Sequence, residues 1–284
     1  MAADSLNPQH FYAQQGQISD PGEHASSLAD LPPDIPSITA CILGLMLHLH
    51  WAGRYGVTLN RARQEEANLR TVRDRLAKII ALDGAPLTEP RPLSIKTVGT
   101  CRDFSLLMTA LLRLRGVPDR ARAGFGTYFT PDRYEDHWIC EYWHPDEARW
   151  VRVDPQLDTL QSQTLGINFN PLDVPEGKFV TGGQAWLLCN TQGADPRHFG
   201  IFNMHGLDFI KGNVIRDFLA LNKIEILPWD DFKLSRKDYR EMTQAEKTLI
   251  NRLAQISSGE DRDFTLLRAA FTAHRNSLLP DYFF

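Results

Sequence analysis

The sequence predicts an α+β fold, and three observations carry that reading. Apolar residues recur at helical spacing from Ile38 to Arg115. The period then shortens, and between Arg120 and Asp154 lie short runs rich in aromatic and β-branched residues bounded by turn residues. Beyond Gln156 the pattern is irregular until helical spacing returns between Leu207 and Arg275. The expectation is helices, then a small antiparallel sheet, then a helical C-terminal part. Of the 284 residues, 43% are hydrophobic and 23% charged, the profile of an ordinary globular protein. A net charge of −4 supplies no global field to attract nucleic acid or an anionic membrane, so neither partner is expected.

Taken in order, residues 1–37 read as an irregular N-terminal arm: they hold Pro8, Pro21, Pro32, Pro33 and Pro36 and few apolar residues. Residues 38–165 read as the core and 166–284 as a mainly helical extension packed on it. A first helix spans Ile38–Tyr55, closed by Gly53 and Gly56. Its apolar run, Ile38–Leu49, falls well short of the ~20 residues needed to span a bilayer. A charged amphipathic helix follows over Arg61–Leu82, then a proline-rich loop. The helix Arg102–Arg115 has clear punctuation, with Thr100 and Asp103 spaced as a capping box and Gly116 and Pro118 as stops. Strands are expected over Arg120–Phe129, His137–Trp143 and Arg149–Asp154, and helices over Leu207–Leu221, Gln244–Ile256 and Phe264–Arg275. Thr243 and Glu246 form a second capping box.

Met1–Asp20 holds no basic stretch followed by an apolar one, so no secretory signal is expected. Cys41, Cys101, Cys140 and Cys189 form no CxxC pair and read as reduced thiols of a cytoplasmic protein.

Cys101 stands at the predicted start of a helix that then runs almost wholly apolar, so its thiol meets the positive end of the helix dipole. That effect, about 0.3–1 kcal/mol, shifts a pKa by less than one unit. An imidazolium at about 4 Å contributes on the order of 4 kcal/mol, enough to make a thiolate near neutrality. His137, heading the run HWICEYW, is the candidate, and Asp154, ending RWVRVD, is the candidate orienting acid. If the two runs form a hairpin around His144-Pro145-Asp146-Glu147, Trp143 faces Ala148 and His137 faces Asp154. Trp138, Cys140, Tyr142, Val151 and Val153 then share the other face.

The run GTCRDFSLLMTALLRLRGVPDRARAGFGTYF, then DHWIC, then WVRVDPQ resembles the catalytic core of the transglutaminase-like superfamily over about Thr97–Gln156. The rest of the chain is similar to bacterial members of that superfamily and shows no resemblance to its calcium-dependent animal enzymes. The resemblance implies a papain-like architecture, with the nucleophile on a central helix packed on an antiparallel sheet. It implies a Cys101–His137–Asp154 triad acting without cofactor on an acyl or amide carbonyl of a peptide or peptide-like substrate. A thioester would form and be resolved by water or by an amine. A peptide-binding module that keeps the cleft, and an amide synthase, are the alternatives. The motifs leave the second oxyanion donor open; the Trp51 indole, on the upstream helix, is a candidate.

Other features read as structure. His48 and His50, two apart on a helix, point to opposite sides, and no metal site is expected. Trp143, Trp150 and Tyr142 read as hairpin packing, and Glu141 with Arg152 as a cross-strand ion pair. Helix capping accounts for Asp103 beside Arg102. Arg113, Arg115, Arg120 and Arg122 read as solvated surface, Thr130–Asp136 as a loop forming one lip of a cleft, and Asn222–Trp229 carries no nameable chemistry.

Overall fold

A computed structural model describes residues 7–259 and 264–283. It has the mixed α+β composition that the sequence predicts. In chain order the first elements are α1 (Pro8–Tyr12), α2 (Ile35–Leu45), β1 (Met46–His48), α3 (Arg61–Gln64), α4 (Val72–Leu82), β2 (Thr97–Gly99) and α5 (Cys101–Arg113). Then come β3 (Asp119–Gly126), β4 (Tyr134–His144), β5 (Arg149–Val153), α6 (Thr159–Leu165), β6 (Phe179–Thr181) and α7 (Gly182–Thr191). The last are β7 (Phe199–Ile201), β8 (Met204–His205), α8 (Leu207–Leu221), α9 (Lys233–Arg236), α10 (Gln244–Ser258) and α11 (Phe264–Leu278). Two compact units divide the chain: one formed mainly by Arg122–Trp138 and Pro175–Phe284, the other by Gln9–Ala121 and Ile139–Val174. Among the described residues no helix is long and apolar enough to cross a membrane.

The unit holding Cys101 departs from the expected helices in an instructive way. α2 starts where Asp34 accepts the Ser37 amide, with proline in the first turn, and it ends at Leu45 rather than Tyr55. Met46 turns to extended backbone, and β1 pairs in parallel with β2: Met46 with Thr97, Leu47 with Val98, His48 with Gly99. In sequence a short buried strand that continues an apolar helix is indistinguishable from more helix. A 3-10 turn, Ala52–Tyr55, follows and ends at Gly56, whose φ of 73° is left-handed. The expected helix 61–82 likewise breaks, because Leu69 is extended and Thr71 caps α4 afresh through the Asp74 amide. α5 is buried from Arg102 to Arg113, a helix with no solvent face. Residues 9–37 supply buried Tyr12, Ile18, Leu28 and Leu31 to this unit, and Gln15 donates to the Ala110 carbonyl of α5 at 2.8 Å.

The β4–β5 hairpin forms two residues out of the expected register. Trp143 pairs with Trp150, and the ladder runs from His144–Arg149 to Cys140–Val153. Ala148 belongs to the turn: its φ is 49°, and its amide bonds back to the Pro145 carbonyl at 3.3 Å. A two-residue slip keeps every side chain on its face. Cys140, Val151 and Val153 are buried as anticipated, and Glu141 lies directly opposite Arg152. Neither His137 nor Asp154 belongs to a pair of this ladder, so the direct opposition drawn for them from the loop length is corrected.

In the other unit β6 pairs antiparallel with the end of β3, through Gly124–Thr181, Phe125–Val180 and Gly126–Phe179. β7 joins the start of β4 in parallel, through Tyr134–Phe199 and Glu135–Gly200, so the strands are not wholly antiparallel as expected. β8 folds back on β7. Helices α7, α8 and α10 pack on one another, and α11 packs on α8, α9 and α10. The Thr243–Glu246 capping box starts α10.

Of the arginines expected at the surface, Arg113, Arg120 and Arg122 are buried and Arg115 is half-buried. Arg113 donates to the Asp119 carbonyl at 2.9 Å, and Arg120 binds Glu141 at 2.9 Å beneath the Trp150 ring, 4.0 Å from its centre. Arg122 grips Asp217 through two 2.9 Å bonds, and Arg115 reaches the Leu111 carbonyl at 3.1 Å. Arg120 and Arg122 terminate on carboxylates 21 and 95 positions away, a pairing that a local charge pattern does not display.

Candidate functional site

Cys101 occupies the first position of α5, directly after β2 and the cap residue Thr100, and is half-buried. Asp103 Oδ2 accepts the Thr100 amide at 2.8 Å and the Thr100 hydroxyl at 3.2 Å, and the Asp103 amide donates to the Thr100 carbonyl at 2.9 Å. Asp103 does more than cap. Its Oδ1 lies 2.8 Å from Arg102 and 3.1 Å from Arg75, with all three side chains buried. Arg75 also donates to the Val98 carbonyl at 2.8 Å, while Glu66 accepts the Val98 amide at 2.9 Å and pairs with Arg63 at 3.0 Å. Desolvation lowers the Arg75 pKa, and Asp103 opposes that effect. Two carboxylates and three guanidiniums thus fix the strand and the helix start that carry Cys101. Sequence spacing singled out Arg102 and Asp103 but not Glu66 or Arg75, since no local pattern joins them.

His137 lies on β4 in the other unit and is 2% exposed. The Phe129 and Tyr128 rings stand edge-on to its imidazole, with centroids 4.7 and 5.9 Å away. β4 begins at Tyr134, so the preceding loop is shorter than the expected 130–136. Tyr134 stacks on Phe199 at 4.1 Å, and Asp136 accepts the Asn213 side-chain amide at 2.7 Å. These contacts fix the backbone that leads into the histidine.

Asp154 follows β5 in the unit of Cys101 and is fully buried. Its amide donates to the Pro171 carbonyl at 2.8 Å, and its Oδ1 accepts the Gln156 amide at 3.2 Å. A relay continues from there. The Gln156 side chain donates to Gln161 at 2.9 Å, Gln161 donates to the Tyr55 hydroxyl at 3.2 Å, and Tyr55 donates to Asp158 at 2.5 Å. Gln156 lies in the motif stretch but was not singled out, because a glutamine has no titration to advertise it.

The remaining thiols differ from Cys101 in setting. Burial pushes Cys41 up to about 11, and its thiol donates to the Leu87 carbonyl at 3.1 Å. Cys189 is likewise pushed up to about 11, and Cys140 well above the ordinary value, by burial and then by Asp119. None of the four cysteines is in a disulfide.

Trp51 does not sit on a helix as expected. It precedes the 3-10 turn, half-buried, with its amide bonded to the His48 carbonyl at 3.1 Å. His48 and His50 are not on opposite sides of a helix either: one ends β1, the other follows it, and their rings are 5.8 Å apart. Among the described residues no group of three or more His, Cys, Asp or Glu side chains could hold a metal ion.

Residues 57–155, about a third of the chain, match the family model of the Transglutaminase-like superfamily. That stretch contains Cys101, His137 and Asp154, and the superfamily generally comprises cysteine enzymes of acyl transfer or hydrolysis. No curated protein and no solved structure matches the chain.

Proposed function

We propose that the transglutaminase-like stretch makes this protein a cysteine enzyme that opens an amide or related acyl bond of a peptide or peptide-like substrate through a thioester. Cys101 is the nucleophile, His137 the base and acid, and Asp154 the group that holds the imidazole tautomer. The Cys101 thiol gives its proton to His137, and the thiolate adds to the carbonyl carbon. Negative charge on the resulting oxyanion faces the Cys101 amide at the helix start, with the Trp51 indole as second donor. Collapse breaks the carbon–nitrogen bond, and His137 delivers its proton to the leaving amine. Water then adds to the thioester, giving up a proton to His137, and the acid leaves as the thiol re-forms. An amine in place of water gives a new amide. Hydrolysis is the primary outcome, because water always reaches an open thioester. The proton and acyl transfers use the three side chains and no cofactor. Residues 38–165 form the catalytic core in this reading and 166–284 an extension upon it, in a protein of the cytoplasm.

The observation that carries the reading is the place of Cys101: half-buried at the head of a capped helix that is buried from Arg102 to Arg113. The test is alkylation by iodoacetamide near pH 6 with peptide mapping. Cys101 is expected to react far faster than Cys41, Cys140 or Cys189. Equal rates at all four would overturn the mechanism and favour a peptide-binding module.

A further inference from the structure

A cavity of about 350 Å³ opens in the unit that holds Cys101. Its lining is mixed: the apolar residues Leu49, Ala52, Val57 and Leu59 share it with Gly53 and with the polar, uncharged His50 and Gln64. No lysine, arginine, aspartate or glutamate lines it. Burial lowers the pKa of the His50 imidazole, which keeps the ring uncharged at neutral pH. Gln64 already spends one amide hydrogen on the Leu59 carbonyl at 3.0 Å.

Two ties set this cavity beside the proposed chemistry. The Leu49 amide donates to the Gly99 carbonyl at 2.8 Å, and Gly99 lies two residues before Cys101. At roughly 3.3 Å of rise per extended residue, the wall is within about 10 Å of the sulfur-bearing residue. On the far side, the turn that contributes Ala52 and Gly53 ends in Tyr55, whose hydroxyl is bonded to Asp158, just beyond Asp154. One wall therefore leads to the nucleophile and the other to the loop of the orienting acid.

We infer that this cavity is the specificity subsite of the enzyme, receiving an uncharged apolar side chain next to the carbonyl that Cys101 attacks. The inference rests on the acyl-enzyme reading and adds the substrate class. An apolar group gains by leaving water there, whereas a charged group would be desolvated against Leu49, Val57 and Leu59 with no partner of opposite sign.

The probe is a pair of thiol reagents, iodoacetamide and N-benzyl iodoacetamide, with rates at Cys101 followed by mass spectrometry and normalised to those with N-acetylcysteine. The benzyl reagent is expected to be favoured by about tenfold, the return on burying one ring face. In Gly53→Trp the ratio falls toward one; a side chain there meets no neighbouring atom within 4 Å, so the bulk enters open space. Leu59→Asp removes the preference by a different route, placing a carboxylate on the wall. A ratio near one in the unmodified protein, or one kept in both variants, overturns the subsite while leaving the nucleophile standing. A Cys101 that reacts with neither reagent overturns the acyl-enzyme reading and this inference with it.

Discussion

Arg75 and Asp103 meet at 3.1 Å with their side chains 4% and 0% exposed, and Asp103 also closes the cap of the helix that begins at Cys101. A buried carboxylate serving two guanidiniums and a backbone amide cannot be removed without leaving positive charge stranded in a dry setting. Asp103→Asn is therefore expected to cost about 3–5 kcal/mol of stability in urea unfolding. Arg75→Met is expected to fall in the same range, since it strands Asp103 in turn. A loss below about 0.5 kcal/mol in both, the size of an ordinary surface change, would contradict this account of the helix start.

Cys41 predicts an alkaline weakness. Its thiol is pushed from an ordinary 9.0 to about 11 by burial, so the folded chain holds this proton more tightly than the unfolded one does. The stability this contributes is whole below pH 9 and is lost as pH rises from 9 toward 11. At 1.36 kcal/mol per unit the loss is of order 3 kcal/mol. Denaturant midpoints measured across that range should fall more steeply in the native sequence than in Cys41→Ala. Parallel curves would show that this thiol does not carry the effect.

Two helix contacts in the other unit are made at glycine. A Cβ on Gly182 would stand 2.4 Å from the Asn213 carbonyl oxygen of α8, and one on Gly183 would stand 2.5 Å from the Ala254 carbonyl oxygen of α10. Both obstacles are backbone, which cannot swing aside as a long side chain could. Gly182→Ala and Gly183→Ala are each expected to lose about 1–3 kcal/mol through forced separation of the helices. Gly53→Ala, in open space, should cost far less. Thermal unfolding of the three variants side by side gives the comparison, and equal losses would mean that the helix contacts are not limiting.

Those glycines also show where the sequence was legible and where it was not. The capped helices at Thr100 and Thr243 could be read because one oxygen and one amide three residues apart settle the matter locally. The faces of the β4–β5 hairpin were readable for the same reason, since alternation survives a slip of two. Its register was not, because a left-handed Ala148 gives no compositional sign. Gly182-Gly183 lies in the stretch that reads as irregular, yet it opens α7, and its purpose lies in the segments brought alongside it. Glu66 and Arg75 escaped notice likewise: they matter through Val98 and Asp103, which only the fold sets beside them. Cys101, His137 and Asp154 stood out because each is a reactive type within a recognisable motif, while the relay behind Asp154 is made of amides and a phenol.

That relay supports a last test. Tyr55 donates to Asp158 at 2.5 Å and accepts from Gln161 at 3.2 Å, joining the turn after β1 to the loop after Asp154. Burial, then the bond to Asp158, raises the Tyr55 pKa, so the folded state holds the phenolic proton more tightly than the unfolded state. Tyr55→Phe deletes one bond to a charged acceptor and strands the Gln161 amide. A loss of about 1–3 kcal/mol at neutral pH is expected. Because the phenol's contribution is present below its ordinary pKa of 10.0 and fades above it, the variant and the native protein should converge in stability as the pH rises past 10. Gln161→Leu should cost a similar amount. The double variant should cost less than the two losses added together, since both break one chain of hydrogen bonds. Strict additivity, or a Tyr55→Phe deficit that does not shrink at high pH, would show that Tyr55 and Gln161 act separately and that no relay reaches Asp154 through them.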